Sequence, residues 1–207
     1  MNGLFQALDH ERRGAYGAAI WVFQKRGSEP AALDVKPVAN SQGSELTLRE
    51  LFRGQRSHAD PIACVEDLTA ELASRQVKNF PHSIWQIVLH LNYWMDYELK
   101  RMRGERPAYP THAEGSWPSA SAPQSETEWQ RACADFRTLI DELSALSENR
   151  DLGRDVENLH FSQGPRTYAV RDVLWQTMTH NSYHIGQVAM LRRMLDAWPP
   201  MGGGDTW

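Results

Sequence analysis

The sequence predicts an all-α fold, a four-helix bundle carrying one long crossover loop. Three observations predict it. Four stretches repeat apolar residues at i, i+3 and i+4, no stretch alternates apolar and polar residues as a half-buried strand does, and residues 106–122 gather three prolines into an irregular segment.

At 207 residues the chain suits one domain with a sizeable core and an added extension. Residues 1–44 are that extension: Leu4, Phe5, Leu8, Ile20, Trp21 and Phe23 suggest a short helix, followed by linker-like Gly27-Ser28-Glu29-Pro30 and Asn40-Ser41-Gln42-Gly43-Ser44. Residues 45–207 are the bundle with an extended C-terminal tail. It opens with Leu46, Leu48, Leu51 and Phe52 in a short helix that Gly54 ends. Asp60-Pro61 is a helix start, an acid at the cap and a proline where a missing N–H costs nothing, and Ile62, Val65, Leu68 and Leu72 follow at helical spacing until Pro81. From Ser83 a broad apolar face runs through Ile84, Trp85, Ile87, Val88, Leu91, Trp94, Met95, Leu99 and Met102 to Gly104.

After the crossover, Ser125-Glu126-Thr127-Glu128 matches a capping box, and Trp129, Ala132, Cys133, Phe136, Leu139, Ile140, Leu143 and Leu146 continue the helical repeat. Residues 148–168 are polar and suit either a short strand pair or a loop. The last helix runs from Ala169 or Val170 to Asp196, and Pro199-Pro200 forbids its continuation.

Composition narrows the function. With 22 basic and 26 acidic residues the formal charge is −4, and no Lys/Arg run tracks phosphates, which argues against nucleic acid. Cys64 and Cys133 make neither a disulfide framework nor a zinc knuckle, so a reducing cytoplasm fits. No apolar run reaches the roughly 20 residues that span a bilayer, and no export signal is visible, so no membrane partner is expected.

The chemistry concentrates in Thr177-Met178-Thr179-His180-Asn181-Ser182-Tyr183-His184-Ile185-Gly186-Gln187. At about 100° per residue His180 and His184 lie about 40° apart and one turn from each other, close enough to ligate one ion. Gln176, Thr177 and Gln187 share their line, a polar window on a face that should point inward. Buried, it needs partners: hydrogen bonds from neighbouring helices, or a metal and its water. Two imidazoles leave a divalent ion under-coordinated, and His90, at the shoulder of its own apolar face, is the candidate third ligand. A plainer reading also fits, with His90 stacked on Trp94 at the core edge and the pair satisfied by Thr177, Gln187 or water. Tyr183, about 60° from His180, could present its hydroxyl to the site or simply pack. His58 and His82 sit at loop-to-helix junctions, where caps are commoner than ligands; His10, His112 and His160 suggest no role. Arg192 and Arg193 should balance carboxylates at the helix end, and the Trp and Met residues read as core.

Two segments, Pro81-His82-Ser83-Ile84-Trp85-Gln86-Ile87-Val88-Leu89-His90-Leu91-Asn92-Tyr93-Trp94 and His180-Asn181-Ser182-Tyr183-His184-Ile185-Gly186-Gln187, resemble the paired signatures of the DinB-like (YfiT-like) superfamily. The resemblance covers roughly residues 45–207, including Arg192-Arg193 and Ala197-Trp198-Pro199-Pro200, and finds no counterpart for residues 1–44. It implies a four-helix bundle, often a homodimer, that binds Zn, Ni or a similar ion through His90, His180 and His184. It further implies, for some relatives, thiol-dependent transfer or isomerisation using a low-molecular-weight thiol. The expected protein is therefore a cytoplasmic metalloenzyme acting on a small molecule by thiol transfer, with metal-dependent hydrolysis as the alternative and Gln187 or Tyr183 orienting the nucleophile. A non-catalytic, stress-responsive metal-binding bundle is the third possibility. No carboxylate base can be named from the sequence, which favours transfer, because a thiolate once formed needs none.

Overall fold

Three long helices carry the architecture of the computed structural model, which describes residues 46–159 and 166–204. The extension of residues 1–44 and His160 lie outside the described residues, and the described residues belong to one packed unit. We number the helices α1 (Leu48–Phe52), α2 (Ala63–Glu66), α3 (Ala70–Ser74), α4 (Ile84–Met102), α5 (Glu126–Leu146) and α6 (Val170–Met194), and the strands β1 (Asp155–Glu157) and β2 (Thr167–Ala169). Helix α4 is central, packing on α5 along one side and α6 along another. The expected all-α bundle is present, with a strand pair as its only sheet among the described residues.

The fourth helix differs from expectation. Where the sequence spacing predicts one helix from Asp60 towards Pro81, α2 and α3 are separate turns and the chain is non-helical from Arg75 to Ser83. Asp60 does act as a start, its Oδ1 accepting the Ile62 amide at 2.9 Å. The break has a physical cause, because side chains from other helices claim the backbone carbonyls. Cys64 O accepts from Arg192 at 2.9 Å, Leu68 O accepts from the Trp129 indole at 2.6 Å, and Thr69 caps a new helix by accepting from the Leu72 amide. Apolar spacing survives such a break, so Val65 and Leu68 remain buried.

The other elements follow their local signals. Thr47 and Glu50 form a full capping box on α1, and Ser83 and Gln86 form one on α4. Gly54 and Gly104 end α1 and α4 with φ of 72° and 87°, a region that glycine enters without penalty. Ser125 caps α5 through the Glu128 amide, but Glu128 returns its carboxylate to the Gln124 amide, so the box there is only half formed. The polar stretch after α5 folds as an antiparallel pair, with Val156 opposite Tyr168.

The core lies where α4 and α5 face each other and along the inner side of α6, with Trp129, Phe136, Ile87, Leu91, Met95, Ile140 and Leu143 fully buried. The expected extended tail instead turns back through Gly204. Met201 N–H donates to Asp67 at 2.8 Å, and at Gly204 a Cβ would meet Trp198 at 2.6 Å, so only glycine fits.

Candidate metal centre

The two helices that carry the histidine signatures, α4 and α6, pack against each other and bring His90, His180 and His184 together. One nitrogen from each ring lies within 4.8 Å of the others. His90 Nε2 and His180 Nε2 are 3.3 Å apart. Imidazole nitrogens held 2.0–2.1 Å from a tetrahedral ion must sit about 3.3 Å from each other, so this spacing is that of two ligands on one metal.

Hydrogen bonds assign the tautomers. His184 Nδ1 lies 2.7 Å from Gln187 Oε1, an acceptor, so Nδ1 carries the proton and Nε2 keeps its lone pair. His90 Nδ1 lies 3.4 Å from the Ser116 carbonyl, which can only accept, so Nδ1 again carries the proton and Nε2 keeps its lone pair; the Ser116 hydroxyl is 3.1 Å from the same nitrogen. Burial drives the His90 pKa down to about 3, helped by its two neighbouring imidazoles, and drives that of His180 down to about 4. Burial also lowers His184, against the opposing hydrogen bond to Gln187. All three rings are therefore neutral near pH 7, the protonation state a metal requires.

Trp117, in the crossover, supports the cluster from outside. Its indole is sandwiched between His82 at 3.6 Å and His90 at 3.8 Å, all three rings nearly parallel. His90 thus stacks on Trp117, whereas Trp94, its stacking partner in the plainer reading of the sequence, meets it edge-on at 6.4 Å. The crossover is pinned there by Ser83 donating to Ser121 O and Gln86 donating to Pro118 O. His82 reaches the site's surroundings through this stack, while His58 is tied instead to the Ser182 hydroxyl at 2.9 Å and to Ala59 O.

Beside His180 opens a cavity of about 410 Å³, whose wall includes Trp94, Tyr97, Tyr109, Tyr168, Glu98 and Arg101, with Gln176 and Thr177 from the polar window. Arg101 is buried, donating to Glu98 at 2.6 Å and to Glu157 O at 2.8 Å. Burial holds the Glu98 carboxyl above the usual carboxylate range, with Arg101 pulling the other way. Glu98 is the carboxylate that sequence reasoning did not find. One signal pointed to its neighbours: His90, Trp94, Tyr97 and Arg101 fall at i, i+4, i+7 and i+11, one line along a helix. Ser116 and Trp117 lie in a segment without periodicity and gave no such signal.

Neither Gln187 nor Tyr183 lines that cavity. Gln187 touches the centre through His184, and Tyr183 is 65% exposed with its ring edge-on to His184 at 5.0 Å. Arg192 balances a carboxylate as expected, pairing with Asp67, but Arg193 instead lies over the Trp198 ring at 3.8 Å. Several Trp and Met residues expected in the core are exposed, among them Trp175, Met190 and Met194.

A helical bundle whose core presents three convergent neutral imidazoles has a donor set that could hold a metal ion. The model of the DinB superfamily matches residues 30–188, most of the chain, and the chain belongs to that family. The match begins within the segment set apart above as an extension. No curated protein and no solved structure matches the chain. No helix among the described residues is long and apolar enough to cross a membrane.

Proposed function

We propose that this chain is a cytoplasmic metal-dependent enzyme in which His90, His180 and His184 hold a divalent ion, Zn or Ni, and that it transfers a low-molecular-weight thiol to a small electrophile. The observation that carries the reading is the placement of the cavity: His180 lines it, so a molecule in it lies beside one member of the three-histidine cluster. A bound ion would supply Lewis acidity that favours the deprotonated form of a thiol or water beside it. In transfer, the thiol gives its proton to solvent water, its sulfur forms a bond to an electrophilic carbon, and the leaving group departs with the bonding pair. Trp94, Tyr97, Tyr109 and Tyr168 give the cavity an aromatic wall suited to holding a small organic substrate and excluding water. Gln187 acts as a positioning residue for His184, and Tyr183 packs on the outer face of that ring.

Glu98 favours a second reading, metal-dependent hydrolysis. It lines the same cavity as His180, and burial raises its pKa against the pull of Arg101, a carboxylate able to take a proton from an attacking water. Two measurements decide. Protein purified without a histidine tag should contain about one ion per chain, and His180→Ala with His184→Ala should abolish it; full metal content in that double variant would defeat the centre. Metal-loaded protein should turn over an electrophile only when a thiol is added; turnover indifferent to thiol, and lost in Glu98→Gln, would establish hydrolysis instead.

A further inference from the structure

The wall of the cavity beside His180 holds an ion pair that thiol transfer does not use. Glu98 and Arg101 stand one turn apart on α4 with side chains only 12% and 8% exposed, and Arg101 Nη1 donates to Glu98 Oε2 at 2.6 Å. Two charges withdrawn from water are costly, and their attraction offsets that cost only when the remaining donors and acceptors are satisfied as well. Here they are not. Of the five N–H groups of the guanidinium, two find acceptors among the described residues, Glu98 Oε2 and Glu157 O, while Nε is buried without a partner. Glu98 Oε1 receives no hydrogen bond from the described residues. Position separates the pair from the metal centre. His90 Nε2 lies against His180, and Glu98 follows His90 by eight residues, about 12 Å along the helix at a rise of about 1.5 Å each. Arg101 Nη2 meets β1 at Glu157 O, so the pair stands at the hairpin end of the cavity and His180 at the other.

We infer that the hairpin end of this cavity binds an α-amino-acid headgroup, its ammonium on Glu98 and its carboxylate on Arg101. The pair carries no net charge, so a simple anion is repelled by Glu98 and a simple cation by Arg101, whereas a group with both charges on one carbon answers both. Bonds between guanidinium and carboxylate, and between ammonium and carboxylate, are charge-assisted and gain strength in a pocket that excludes water. Trp94 and Tyr168 line the same space and suit an ammonium through the negative faces of their rings. The cavity, about 410 Å³, is large enough for such a molecule. The inference rests on the transfer reading, in which Glu98 is not the proton acceptor, and it narrows the substrate of that reading. A molecule that holds its headgroup on the pair and its reactive end beside His180 must bridge about 12 Å, roughly three extended residues. Free cysteine, with its sulfur two bonds from the headgroup carbon, is too short; a longer thiol that carries a free amino-acid headgroup fits.

Calorimetric titration of the full chain with Nε-acetyl-L-lysine, which carries the headgroup on a long chain and has no thiol, should show binding, both as purified and after a chelator has removed any metal. Acetylating its α-nitrogen, or converting its carboxylate to the amide, should each weaken binding roughly tenfold or more. Glu98→Gln keeps the shape of the side chain and should erase the difference between the parent compound and its Nα-acetyl derivative, a change that a merely structural role would not produce. Equal binding of all three compounds to the wild-type chain, or no binding of the parent, would overturn the inference whether or not the variant folds. Discrimination retained in Glu98→Gln would overturn it too, as would binding that vanishes with the ion, the sign of a headgroup chelated at the histidines instead. Because the probe has no thiol and is measured with and without metal, these outcomes are separate from the metal-content and turnover results that test the transfer reading.

Discussion

A metal-ligating histidine almost always has its second nitrogen held by an outer partner, and this chain supplies such partners for two of the three from different sources. Gln187 accepts the Nδ1 proton of His184 from one turn along the same helix, whereas the Ser116 carbonyl accepts that of His90 from the crossover. Removing such an outer partner costs metal affinity without removing a ligand. Gln187→Ala is expected to weaken binding by roughly 10- to 100-fold in a chelator competition, with helix content unchanged. Trp117→Ala should act in the same direction, because the His90 ring loses the face that fixes its plane. Affinities equal to wild type in both variants would show that the rings hold their orientation without help.

At the scale of the element, the readable and unreadable parts of this protein divide by how local their causes are. Helices α4, α5 and α6 were legible because each carries its own apolar repeat and its own stop or cap, and the pair His180 and His184 was legible because a helix fixes their relation. His90 needed the packing of α4 on α6 to reach them, which spacing suggests but does not dictate. The division of the fourth helix was not legible, since it depends on Arg192 and Trp129 reaching carbonyls more than 60 residues away in sequence. Ser116, Trp117 and Glu98 were missed for a related reason: a loop has no period, and a charged residue on a helix looks solvated until a neighbour buries it.

The Arg192–Asp67 pair joins α6 to the break between α2 and α3 with two hydrogen bonds, and the arginine is almost fully buried. Removing one partner leaves a buried charge unpaired, so Asp67→Ala should cost about 3–5 kcal/mol in a urea melt. Loss of less than 1 kcal/mol would mean that the carbonyls of Cys64 and Ala197 alone satisfy the guanidinium.

For the whole molecule, the three imidazoles make the metal-free protein sensitive to acid. An unfolded histidine takes up its proton near pH 6.5, whereas folded His90 and His180 resist protonation down to about 3 and about 4. Below pH 6.5 the unfolded state therefore binds more protons than the folded one, and stability falls with pH. The contribution is complete above about 6.5 and is lost progressively as the pH drops towards those folded values. Carboxylates contribute slopes of their own at the acid end, so the useful quantity is the difference between the metal-free wild type and a chain with His90, His180 and His184 all changed to Gln. That variant should show a smaller fall in melting temperature between pH 7.5 and pH 5. Metal at about 100 times its dissociation constant should add about 2.7 kcal/mol to the wild type at pH 7.5, and nothing to the triple variant. Protons compete for the same lone pairs only as the pH nears the folded values of about 3 and about 4, so that increment should hold at mildly acid pH and shrink below it. An increment retained by the triple variant would place the ion on other ligands.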